Sequence, residues 1–104
     1  MTFTTPVGII CGTVYTNTGA AAALQATLPV CTAKALGCFY DFTISAAFAE
    51  TVITQSPDVV NAPALSQTTK TIITSPTTAG STLHVECYAV GLWRGSTVGT
   101  WTSN

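Results

Sequence analysis

The chain has 104 residues, a formal net charge of −1 and only 7% Asp, Glu, Lys and Arg, against about 25% in an ordinary soluble domain. A nucleic-acid binder needs a basic surface, and an enzyme needs positioned acids, bases or cations, so this composition argues against both classes. With 47% hydrophobic residues it also excludes a disordered tail, which lacks the apolar surface to offset ordering entropy.

Threonine makes up about a fifth of the sequence, so solubility rests on hydroxyls and methyls and the propensity favours β structure. The uncharged N-terminal third is interrupted by Pro6, Gly8, Asn17, Gln25 and Pro29, whereas a membrane helix needs about 20 predominantly apolar residues. No transmembrane helix is expected. No basic region precedes an apolar stretch at the N-terminus, so no secretory signal is read in this chain either.

Taken in order, residues 7–15 are rich in β-branched side chains and read as a first strand, or, over residues 1–15, as an N-terminal arm. Residues 19–28 hold four consecutive alanines ahead of Leu24, Gln25 and Pro29, which suits one short helix or a further strand. Residues 39–48 alternate strictly, with Tyr40, Phe42, Ile44, Ala46 and Phe48 on one face and Asp41, Thr43 and Ser45 on the other, the pattern of a half-buried strand. Shorter strands are expected at 51–54 and 68–74, separated by a Pro-containing connection at 56–67.

After a loop at 75–81, Leu83, Val85, Cys87 and Ala89 alternate with His84, Glu86 and Tyr88. Val90 and Leu92 make the second face apolar too, so this strand is expected to be central. Arg94-Gly95 then reads as the turn of a terminal hairpin that sets Trp93 opposite Ser96 and Tyr88 opposite Trp101. Five to eight short strands with at most one short helix imply a single all-β domain over 1–104, an antiparallel β-sandwich or jelly-roll.

Cys11, Cys31, Cys38 and Cys87 form an even set that allows three disulfide pairings. The spacing suggests a local Cys31–Cys38 bridge with Cys11 joined to Cys87; alternatives are four reduced core thiols, or a Cys11 bridge to a neighbouring subunit. No Cys-x-x-Cys is present and His84 is the sole histidine, so no zinc site and no cofactor are expected.

His84 and Glu86 share one face of a strand and are the best acid–base pair available. Their His-x-Glu spacing matches half of a zinc-deaminase signature, but the Pro-Cys-x-x-Cys half is missing. Glycosidase chemistry needs two facing carboxylates, and nothing in the sequence brings together two of Asp41, Glu50, Asp58 and Glu86. No Gly-x-Ser-x-Gly elbow marks a nucleophile. The chain is therefore not expected to be an enzyme, and its catalytic and metal sites are both read as none.

Tyr88, Trp93 and Trp101 are the residue types that stack on sugars or anchor interfaces, unless the two indoles fill the core. Lys34, Lys70 and Arg94 are too few to track phosphates, so no nucleic-acid partner is expected. The leading expectation is a structural, self-associating subunit of an extracellular appendage, filament or virus-like particle, whose partners are copies of itself. It would use its strand edges and a donor arm near residues 2–15. The alternative is a secreted, disulfide-stabilised carbohydrate-binding or defence module with a glycan as partner. In either case the protein would act outside the cell or at a particle surface.

Overall fold

A computed structural model describes residues 11–65 and 67–104 as an all-β sandwich of two sheets. Its strands are β1 (Thr13–Thr16), β2 (Leu24–Thr27), β3 (Phe39–Thr43), β4 (Glu50–Ile53), β5 (Val59–Ala62), β6 (Gln67–Lys70), β7 (Ile72–Thr74), β8 (Thr82–Ala89), β9 (Leu92–Val98) and β10 (Thr102–Ser103). One sheet has the order β1-β3-β8-β9-β5-β6, and the other β10-β7-β4-β2. Most pairings are antiparallel, but β1 with β3, β2 with β4 and β5 with β9 run parallel. Among the described residues the remaining regular structure is two three-residue 3-10 turns, Ala33–Ala35 and Pro63–Leu65.

The described residues form ten strands against the five to eight expected, because short segments are shared between sheets. The segment at 68–74 divides at Thr71 into β6, at the edge of the six-stranded sheet, and β7, inside the four-stranded one. The alanine-rich segment ends as strand rather than helix. Ala21, Ala22 and Ala23 are exposed in an irregular stretch, and β2 then buries Leu24 and Ala26 while exposing Gln25 and Thr27. The segment is too short to offset the cost of helix nucleation, and Pro29 closes it. Of the expected first strand at 7–15, residues 11–15 are described, and the strand formed there is Thr13–Thr16; residues 1–10, with most of the expected arm, lie outside the described residues.

The alternation read at 39–48 is correct through Ile44, with Tyr40, Phe42 and Ile44 all buried. The strand nevertheless stops at Thr43, because the fully buried Asn17 side chain takes over the next backbone groups. Its Oδ1 accepts hydrogen bonds from the Ser45 and Ala46 amides at 2.8 and 2.9 Å. Its Nδ2 donates to the Ala46 and Phe48 carbonyls at 3.2 and 2.9 Å. An asparagine side chain competes with the ladder in this way because it carries both donors and acceptors.

The C-terminal hairpin is shifted from its expected register. β8 and β9 turn at Val90-Gly91, where Gly91 has φ +76°, and Arg94-Gly95 lies inside β9 opposite Glu86 and Val85. Trp93 faces Cys87 rather than Ser96. Trp101 lies beyond β9, its indole N–H donating to the Val98 carbonyl at 3.1 Å, and makes no cross-strand pair with Tyr88. Gly95 is a glycine for space, not for turning: a Cβ there would meet Val60 Cγ1 at 3.1 Å and Ala62 Cβ at 3.4 Å. Parallel pairing of β5 on β9 brings those side chains in. As expected, β8 is central, between β3 and β9.

Both disulfides are intrachain, Cys11–Cys38 and Cys31–Cys87, and no cysteine is free. The expected Cys31–Cys38 and Cys11–Cys87 pairs are thus corrected, as is the notion of Cys11 as a lock between subunits. Parallel alignment of β1 with β3 brings Cys11 beside Cys38. Cys31, just beyond β2, reaches across to Cys87 on β8 and ties the two sheets together. The core between the sheets is one cluster that includes Tyr15, Leu28, Tyr40, Phe42, Ile73, Leu83, Val85, Trp93 and Trp101.

Two outcomes test this packing. Peptide mapping without reductant yields Cys11–Cys38 and Cys31–Cys87, and the double variant Cys31→Ser/Cys87→Ser is less stable by about 2–5 kcal/mol. Gly95→Ala costs about 1–3 kcal/mol in urea denaturation, the range for overfilling a packed core.

Candidate functional site

The chain has few charges, and the register gathers them. On the outer face of the six-stranded sheet, cross-strand partners line up as two rows. Asp41 on β3, His84 on β8 and Ser96 on β9 form one row; Phe39, Glu86, Arg94 and Asn61 on β3, β8, β9 and β5 form the next. Residues directly opposite on neighbouring antiparallel strands lie about 4.5–5.5 Å apart at Cβ, so side chains along the β3-β8-β9 part of each row are neighbours.

His84 Nδ1 is 2.5 Å from Asp41 Oδ1, and the Phe39 ring stacks on the imidazole with centroids 5.6 Å apart. Arg94 Nη2 donates to Glu86 Oε1 at 2.8 Å, and the guanidinium lies over the Tyr88 ring, 5.7 Å from its centroid. One member of each ion pair, His84 and Arg94, lines a groove of about 530 Å³ together with Asn61, Tyr88, Ser96 and Thr97. Asn61 Oδ1 is buried and has no hydrogen-bond partner.

The expected pair His84 and Glu86 does share this face, but each is claimed by a different neighbour, His84 by Asp41 and Glu86 by Arg94. Acid, imidazole and hydroxyl also stand in one row, Asp41, His84, Ser96. The hydrogen bond from hydroxyl to imidazole that activates such a nucleophile is not formed between Ser96 and His84. Among the described residues no three His, Cys, Asp or Glu side chains come together as a metal site.

The aromatic platform read from Tyr88, Trp93 and Trp101 is not one surface. Trp93 is fully buried and Trp101 is 4% exposed, while Tyr88 is 38% exposed on the outer face. Both indoles are core, where their large apolar area is best removed from water. Sequence reasoning missed Asp41, Asn61 and Ser96 as neighbours of His84 and Arg94, because only strand register joins them. The signal that existed was parity: Asp41 falls on the polar face of an alternating strand, as do His84 and Glu86.

Two acidic groups sit inside the sandwich. Asp58 is 2% exposed, and its Oδ2 accepts from the Cys31 amide at 2.6 Å and from the Trp93 indole N–H at 3.3 Å. Glu50, at the start of β4, is fully buried, and neither carboxyl oxygen has a hydrogen-bond partner. Its backbone is held, since the Glu50 amide donates to Ser75 Oγ and the Ser75 amide to the Glu50 carbonyl, both at 2.8 Å. Burial disfavours the charged form and pushes its carboxyl up to about 7.

The outer face of the four-stranded sheet is of a different kind. Its rows are Gln25, Thr51, Thr74 and Thr102, then Thr27, Ile53 and Ile72. No ionisable residue occupies these positions. Compared with known proteins, the chain matches no family model, no curated protein and no solved structure.

Glu50 generates a pH prediction. Its folded pKa is raised above the unfolded value, so its stability contribution is fully present below about pH 4.5 and lost as pH rises through about 7. From pH 4.5 to 8 the wild type loses about 3 kcal/mol that Glu50→Gln does not lose. Urea denaturation of both proteins at the two pH values measures it, and parallel pH dependence would refute the assignment.

Proposed function

We propose that this chain is a secreted structural subunit that packs against copies of itself, as in an extracellular appendage, filament or particle. The observation that carries the reading is the segregation of charge. Asp41, His84, Glu86 and Arg94 share the outer face of the six-stranded sheet, and the outer face of the four-stranded sheet consists of threonines, Gln25 and the Ile53–Ile72 pair.

Burying ionised side chains is costly unless each finds a partner, whereas threonine methyls and isoleucines lose little and gain from leaving water. The four-stranded face is therefore the cheaper of the two to cover. Ile72 is 42% exposed there. A net charge of −1 leaves little long-range repulsion between copies. Face-to-face contact of two such sheets, spaced about 10 Å apart, is a common β packing.

Two disulfides in a chain of this size suit an oxidising compartment. Among the described residues no helix is long and apolar enough to cross a membrane. Because both disulfides are intrachain, assembly in this reading is noncovalent and survives under non-reducing and mildly reducing conditions alike.

Sedimentation velocity with light scattering tests the proposal. The wild type is expected to run as an oligomer or polymer of the 10.7 kDa chain, and Ile72→Lys or Thr51→Lys shifts it to monomer while the β circular-dichroism spectrum is kept. A wild type that stays at 10.7 kDa up to millimolar concentration rules the reading out.

A further inference from the structure

We infer that the groove on the outer face of the six-stranded sheet is a binding site for a neutral saccharide, separate from the self-packing face on the other sheet. Its volume, about 530 Å³, falls in the range of small-molecule sites. What distinguishes it is the alternation of hydrogen-bonding roles around one exposed ring.

Asp41 sets the first role. A carboxylate only accepts, so His84 Nδ1 carries the proton donated to Asp41 Oδ1, and in the neutral imidazole Nε2 is left as an acceptor. Asn61 supplies a second acceptor, its buried and unpartnered Oδ1. A buried carbonyl oxygen without a donor is unfavourable, so a small rotation of the Asn61 amide toward the groove it lines, where a ligand hydroxyl can donate to it, is favoured on binding. Donors stand opposite: the Arg94 N–H groups not engaged by Glu86, and the hydroxyl of Ser96.

A hydroxyl group donates and accepts at once, so a ring bearing several adjacent hydroxyls answers this mixed set. A hydrocarbon chain answers none of it. Tyr88, 38% exposed at the wall with the Arg94 guanidinium over its ring, offers its remaining apolar surface to the C–H face of a sugar.

Charge decides between neutral and anionic ligands. The Arg94 guanidinium is already answered by Glu86 at 2.8 Å. Asp41 adds a further negative charge behind His84, which is cationic only when protonated. An anion meets no uncompensated cation among the described lining residues, so sulfated and acidic glycans are disfavoured against neutral ones.

Affinity electrophoresis of the oxidised full chain through native gels containing a β-glucan, a galactomannan or an arabinoxylan, with heparin as the anionic arm, is the test. Retardation is expected with at least one neutral polysaccharide. Tyr88→Ala and Ser96→Ala, both at exposed positions, are expected to weaken it at least 10-fold, with Tyr88→Phe close to wild type. Ile72→Lys run alongside separates ligand binding from self-association, since it lies on the other sheet and is expected to keep full retardation. Three results would overturn the inference: no retardation by any neutral polysaccharide, retardation by heparin alone, or undiminished retardation in both Tyr88→Ala and Ser96→Ala.

Discussion

The sandwich depends on one buried junction, where the carboxylate of Asp58 accepts from the Cys31 amide and the Trp93 indole while Cys31 is bonded to Cys87. Cys31 leaves the four-stranded sheet, whereas Cys87 and Trp93 are cross-strand partners at the centre of the six-stranded one. Covalent bond, hydrogen bonds and indole packing thus all cross the same gap between sheets. A carboxylate that is 2% exposed is tolerated because it is doubly hydrogen-bonded. Glu50 has no such partners and pays in proton affinity instead.

With the sheets fixed to each other, the outward faces are free to differ. One collects nearly every ionisable side chain that the structure places on a sheet surface, and pairs them in rows. The other is hydroxyls and methyls. Neither arrangement follows from the amount of charge in the chain; both follow from which strands are neighbours. A protein with so few charges can therefore still have one chemically articulate face and one that is inert and adhesive.

Much of the fold was legible beforehand. The alternation at Tyr40, Phe42 and Ile44 and at Leu83, Val85 and Cys87 reads directly as inward-facing positions, and all six are buried. The class, all-β, and the central place of β8 follow from it. Local signals were weaker where tertiary contacts overrode them. Gly95 reads as a turn residue because glycine usually is one, yet it is a strand residue that lets Val60 approach. Gly91, four residues earlier, makes the turn. The alanines before Leu24 favour helix intrinsically, but a strand with two inward positions packs better beside β4. Trp93 and Trp101 read equally well as a surface platform or as core, and only packing chose.

The candidate site was half legible. His84, Glu86 and Tyr88 belong to one strand, so period-two parity places His84 and Glu86 together on a face. Asp41, Asn61, Arg94 and Ser96 come from three other strands, and sequence distance carries no information about which rungs they share. The same holds for the cysteines: their even number announced a disulfide framework, while the pairing waited on the parallel alignment of β1 with β3 and on the crossing from β2 to β8.

By itself, then, the sequence determined the β class, the inward and outward positions of β3 and β8 and the scarcity of charge, because these are local properties of periodicity and composition. Register, disulfide connectivity, the burial of both tryptophans and the division into a charged and an uncharged face were decided only in the tertiary structure. Each is a relation between strands far apart in the chain, and what selects it is the joint packing of one core, which no local window contains.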